Sequence, residues 1–226
     1  NLAPLWGVDI VSYRDFNELV LRYEQPATAA ERTINRWSED LASHGVLYLR
    51  DWLTLGLDEL LGWKMGDAVT YYFLGEHTEV HRRNMSKVKK LAMTHRAPPL
   101  RWWLMLALEQ SGEVLFETTR PLALELEAEL GVPLDYWAYR HGLTEPRERD
   151  EAPYPFLEAP IAASEARLVR QIIDTVFDNI EEQFDQCERV LHARAFSTHA
   201  SSLPPRASHV ADLARARHAA VAATPV

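Results

Sequence analysis

The chain has one cysteine, Cys187, in 226 residues. A single thiol excludes an internal disulfide framework and a cysteine-based zinc site, and a reducing, cytoplasmic setting is expected. Glycine is scarce too: nine residues, about 4% against a usual ~7%. That scarcity argues against a β fold punctuated by glycine turns. No apolar run approaches the roughly 20 residues of a membrane span, and no charged-then-apolar leader opens the sequence. Excess positive charge is missing as well. Lys and Arg number 24 against 33 Asp and Glu, for a net charge of −9. Neither nucleic acid nor a membrane is therefore an expected partner. A Gly-rich phosphate loop, a Gly-x-Ser-x-Gly elbow and a Cys–His pair at informative spacing are all absent.

What is present is helical. Leu, Ala, Glu and Arg dominate. Residues 1–26 read as irregular, apart from a short helix at Tyr13–Tyr23. Thr28 and Glu31 form a capping-box signature before Ile34, Trp37 and Leu41, which recur at helical spacing. Gly45 is expected to end that helix. Val46–Trp52 fits a strand or a buried helix, and Leu53–Trp63 reads as helix. Asp67–Ala92 reads as one long amphipathic helix, followed by a turn at His95–Pro99. Leu100–Leu130 is a helix with a stripe of Met105, Leu108, Leu115, Leu122 and Leu126. Pro121 predicts a kink or break within it, and Gly131-Val132-Pro133 closes it. A short helix over Leu134–Leu143, a loop marked by Pro146, Pro153, Pro155 and Pro160, and a long helix over Ser164–Ala195 complete the pattern. The expected architecture is an all-α, single-domain helical bundle over residues 1–196. Residues 197–226 are expected to be a tail or linker, with a helix allowed over Ser208–Ala223.

The most informative stretch is Gly75-Glu76-His77-Thr78-Glu79-Val80-His81. At one hundred degrees per residue, Val69, Phe73, Val80 and Leu91 share a face of the Asp67–Ala92 helix, with Glu76 in its middle. His77 and His81, four apart, neighbour each other at its edge. A carboxylate among apolar neighbours needs a cation, a donor, a metal or a proton. Beside imidazoles, a metal such as iron, manganese or zinc is the sharpest expectation. The plainer reading pairs Glu76 with an arginine, Arg36 or Arg101, and leaves both histidines partly exposed.

Glu109, Glu113 and Glu117 follow at i, i+4 and i+8, and only Glu109 borders the apolar stripe. It is the one candidate ligand there. On the last helix, Asp174, Asp178, Glu181 and Asp185 lie opposite Ile172, Val176, Ile180 and Cys187, which reads as a solvated acidic side. His141 and Glu145 are four apart, and Pro146 follows Glu145. Trp102, Trp103, Tyr71, Tyr72 and Tyr136 read as core, or as walls of a substrate pocket if a metal site is present.

Leu106–Glu148 contains Glu109 on a helix, then Glu-Leu-Gly-Val-Pro (129–133), Tyr136-Trp137 and His141-x-x-x-Glu145-x-x-Glu148. This order resembles the middle of the haem-oxygenase-like diiron oxidases, which share their fold with thiaminase II and the PQQ-synthesis oxidase. The likeness covers about seventy residues, and Glu148 stands where the family has its last histidine. It implies a haem-oxygenase-like bundle binding one or two iron ions, or manganese. Glu76 with His77 or His81 would be the early ligands, Glu109 the next, and His141 with Glu145 the late pair. The implied activity is oxidation or oxygenation of a small organic substrate, such as an amino acid or natural product, with O2. No organic cofactor and no catalytic residue beyond the ligands is implied, and a homodimer is compatible with such a bundle.

Two other readings compete. Arg36–Leu61 looks like the helix-then-strand opening of Fe(II)/2-oxoglutarate dioxygenases. His77-x-Glu79, His141 and Arg147 or Arg149 would mimic their facial triad and co-substrate arginine. That fold is a β-helix, against the helical pattern here. A non-catalytic helical binding module is the third reading.

Overall fold

The capping box at Thr28 forms. The Glu31 carboxylate accepts from the backbone N–H of Ala27 (2.7 Å) and Thr28 (2.8 Å), while the Thr28 hydroxyl accepts from the Glu31 N–H at 3.2 Å. Three backbone donors are satisfied, and a helix starts there. The computed structural model describes residues 3–138 and 161–197. Among these the regular elements are all helical. They are α1 (Ala3–Asp15), a π-helical turn (Phe16–Leu21), α2 (Ala29–Ala42), α3 (His44–Thr54), α4 (Leu57–Leu61) and α5 (Met65–Leu74). A 3₁₀ turn (Glu76–Thr78), α6 (Glu79–Thr94), α7 (Pro98–Leu130) and α8 (Ala163–Ser197) follow. The chain is an all-α, single-domain bundle. Residues 198–226, His141, Glu145 and half of the expected Leu134–Leu143 helix lie outside the described residues.

Four sequence expectations are corrected. The first residues are not irregular: Ala3–Asp15 is helix α1, with Leu5, Trp6, Val8 and Ile10 buried. Gly45 does not end α2 but lies inside α3, so Val46–Trp52 is helix and not strand. Leu53–Trp63 is divided, because Gly56 and Gly62 take left-handed conformations at φ 62° and 65°, where L side chains are strained. Pro121 does not break α7. It lacks one N–H, yet the helix is carried through by packing of Leu115, Phe116 and Ala123 into the core.

The bundle centres on α7 against α8. Trp102, Leu104 and Met105 of α7 pack with Ile172 and Val176 of α8, Ile34 of α2 and Phe16 and Leu21 of the π-helical turn. Trp37 and Trp102 meet with ring centroids 4.9 Å apart. Buried Arg101 donates to the carbonyls of Leu21 and Arg22 and lies 4.4 Å over the Tyr23 ring. Its charge thus offsets the negative end of the π-helical turn, and it is not a partner of Glu76.

A second cluster gathers Tyr48 and Trp52 of α3 with Phe116, Tyr136 and Trp137. One carboxylate ties it together. Asp51, 2% exposed, accepts from the backbone N–H of Asp135 (2.8 Å), Tyr136 (2.9 Å) and Trp137 (3.0 Å). Burial raises its carboxyl to about 7, against the pull of the three N–H groups. Asp51→Ala would strand those donors, and urea unfolding should show a loss of about 3 kcal/mol. The folded-state pKa lies above the unfolded one, so the folded protein binds the proton more tightly. Asp51's titration therefore favours folding fully below about pH 4 and loses that effect as pH rises through about 7. The stability difference between wild type and Asp51→Ala should shrink across that window.

Candidate functional site

A cavity opens between α1, α6, α7 and α8, with an empty volume of about 990 Å³, its mouth included. Trp6, Tyr13, Leu108, Phe116, Tyr136 and Val176 supply apolar and aromatic wall. Into this wall each helix sends polar groups: Asp9 from α1, Asn84 from α6, Glu109 from α7, and Asn179 and Gln183 from α8.

Asp9 is the most constrained of these. Its Oδ2 lies 2.5 Å from His81 Nδ1, and its Oδ1 accepts from Gln183 Nε2 at 3.1 Å. An ionised Asp9 only accepts, so the hydrogen of that bond then belongs to His81 Nδ1. His81 is fully buried, and the Trp6 ring meets it edge-on with centroids 5.5 Å apart. Asp9 is 16% exposed. Burial raises its carboxyl, while the His81 and Gln183 bonds pull it down. His81 is not part of the cavity wall; it supports Asp9 from behind.

Asn84 is fixed in orientation. Its Nδ2 donates to the Asn179 carbonyl at 3.0 Å, and Asn179 Nδ2 donates back to the Asn84 carbonyl at 3.4 Å. Lys87 reaches Asn179 Oδ1 at 3.2 Å and Glu182 at 3.3 Å from the outer side. Glu109 is 8% exposed. Burial pushes the Tyr13 hydroxyl well above its ordinary pKa, and the nearby Glu109 carboxylate adds to that. Tyr136 is raised in the same way by burial, with Asp9 the next cause. Cys187, buried on α8, is pushed up to about 11 and is not a poised nucleophile.

Of the six expected metal ligands, the four among the described residues do not converge. Glu76 and His77 are exposed. The reason is Gly75, where the backbone turns extended (φ −64°, ψ 136°) and Asp67–Ala92 splits into α5 and α6. The Thr78 hydroxyl donates to the Tyr71 carbonyl at 2.7 Å and locks the break. A Cβ at Gly75 would stand 2.6 Å from that same carbonyl, so glycine is required there. Angular bookkeeping across the break therefore fails, and Val69 and Phe73 are exposed rather than core. His81 is buried but committed to Asp9. Glu109 alone of the six lies on the cavity wall, while His141 and Glu145 fall outside the described residues. No three His, Cys, Asp or Glu side chains among the described residues group as a metal site. The four described members of the expected set thus do not gather around a shared ion. The acidic side of α8 is exposed as expected: Asp174, Asp178, Glu181 and Asp185 all face solvent.

Asp9, Asn84, Asn179 and Gln183 escaped sequence reasoning. One signal was available: Trp6, Asp9 and Tyr13 are spaced i, i+3 and i+7, one face of a helix carrying a carboxylate between aromatics. Matching against models of protein families and against curated protein sequences finds no match for this chain.

The exposure of Glu76 has a direct consequence. Glu76→Ala should change unfolding free energy by less than about 0.5 kcal/mol, whereas His81→Ala should cost about 3 kcal/mol. Urea unfolding of both variants checks the assignment, and a large Glu76 effect would return that carboxylate to the interior.

Proposed function

We propose that the protein is an enzyme acting on a small organic molecule held in this cavity, with Asp9 as its proton-transfer group. The observation that carries the reading is a carboxylate raised by burial, oriented by a buried imidazole, on the wall of a mostly apolar pocket. Each Asp9 oxygen keeps a second lone pair beyond its bond to His81 or Gln183. A bound substrate X–H can give its proton to that carboxylate. His81, donating through Nδ1, stabilises the anion before transfer and holds it in place. The proton then returns to the product. Apolar walls exclude water and strengthen these interactions.

A general base in an apolar pocket can be assayed without the natural substrate. 5-Nitrobenzisoxazole opens when a base removes its C3 proton: the electron pair forms a nitrile, the N–O bond breaks and the oxygen leaves as phenolate. The wild type should catalyse this saturably. Asp9→Asn should lose about 10²-fold in kcat/KM. Gly112→Leu should lose saturation, because a Cβ at Gly112, on the cavity wall, meets open space and the side chain would fill it. Equal rates in all three proteins would sink the reading and favour a non-catalytic bundle.

Oxygen chemistry on iron or manganese, in a haem-oxygenase-like bundle, is the second reading. Asp9 and Glu109, whose oxygens suit such ions, face one cavity and favour it. Stoichiometric Fe(II) after anaerobic loading of the wild type, lost in Glu109→Ala, would support it over the first.

A further inference from the structure

We infer that the molecule bound in this cavity is an organic cation, a protonated primary or secondary amine on a flat apolar body. The inference rests on the reading that the cavity receives a small organic molecule, and it names the chemistry of that molecule.

The first observation is the charge of the wall. Among the described residues lining the cavity, Asp9, Glu109 and Glu113 bring carboxylates, while neither lysine nor arginine contributes. His44 is the one wall residue able to become cationic. Lys87 of α6 is engaged by Asn179 and Glu182. Carboxylates gathered in a low-dielectric cavity favour a ligand of opposite charge.

The second observation is independent of charge. Asn84, 1% exposed, lines the cavity, and its Oδ1 is buried with no hydrogen-bond partner among the described residues. The amide cannot be turned round to remove this deficit. Its Nδ2 already faces the Asn179 carbonyl, which can only accept. A buried acceptor left alone is costly, and a ligand N–H relieves it. A carboxylate or phosphate ligand has no donor for that oxygen and would meet Asp9 and Glu109 as like charges. An ammonium offers donors to all three groups.

The rest of the wall suits the body of such a ligand. Trp6, Tyr13, Phe116 and Tyr136 are aromatic, and ring faces attract cations as well as flat apolar groups. An inorganic cation satisfies the charge but not the aromatic wall, and the described carboxylates and histidines do not group around one point.

Three probes of one shape separate the alternatives: benzylamine, benzyl alcohol and phenylacetate, titrated calorimetrically into the full chain near neutral pH. Benzylamine should bind at least about tenfold more tightly than benzyl alcohol, and phenylacetate should show no heat of binding. Glu109→Gln should cost benzylamine about tenfold and leave benzyl alcohol unchanged, a selectivity that a misfolded variant would not show. Gly112→Leu should abolish both. Equal binding of amine and alcohol, both blocked by Gly112→Leu, would overturn the cationic ligand while leaving a small-molecule cavity. Binding of none of the three, or binding indifferent to Gly112→Leu, would overturn both. Preference for Mn(II) over benzylamine in competition would replace the organic cation with an inorganic one.

Discussion

The contact between Asp9 and His81 is the constraint on which the rest depends. A carboxylate inside a bundle is expensive unless its oxygens are satisfied. Here each oxygen has a donor from a different helix, one 72 and the other 174 positions away in sequence. Meeting those two bonds fixes how α1 sits against α6 and α8. Trp6, one turn from Asp9, then covers the imidazole edge-on and seals it from water. Removing either partner would leave a buried polar group stranded, so the arrangement of three helices and the state of one carboxylate are a single problem with one solution.

The cavity follows from that arrangement. Asp9 points between the helices because its own helix is anchored by the apolar Leu5 and Ile10 on either side. On α7, Glu109 shares its face with Met105 and Phe116, so the same burial that stabilises the helix carries the carboxylate inward. On α8, Asn179 and Gln183 alternate with Val176 and Cys187 at helical spacing. At the far end Asp51 gathers three N–H groups of residues 135–137 and holds Tyr136 on the cavity wall. Polar chemistry and apolar packing are thus interleaved along the same stripes.

Several parts were legible in the chain. The capping box of α2, the length of α7, its end at Gly131, the solvated acids of α8 and the inward position of Glu109 all rest on local rules: capping, glycine geometry and a 3.6-residue period. Other parts were not. Glu76 failed because a helical wheel assumes one continuous helix, and a single extended residue at Gly75 resets the phase. Gly45 failed for the opposite reason, since a glycine can be carried inside a helix when its neighbours pack. Asp9 was missed because the sequence before it offers no strong cap, and the helicity of α1 comes from burial of Leu5, Trp6, Val8 and Ile10 against other elements.

The sequence by itself determined the class of the fold, the absence of any long apolar run, the anionic balance, the start of α2 and the extents of α7 and α8, since each depends on composition or on neighbours within one or two turns. Tertiary structure alone decided which polar side chains meet. Asp9, His81, Asn84, Glu109 and Gln183 come together only when four helices pack, and that depends on where each helix breaks and how its stripe turns. The free energy of a buried polar pair belongs to both partners at once, so neither residue's local sequence carries it.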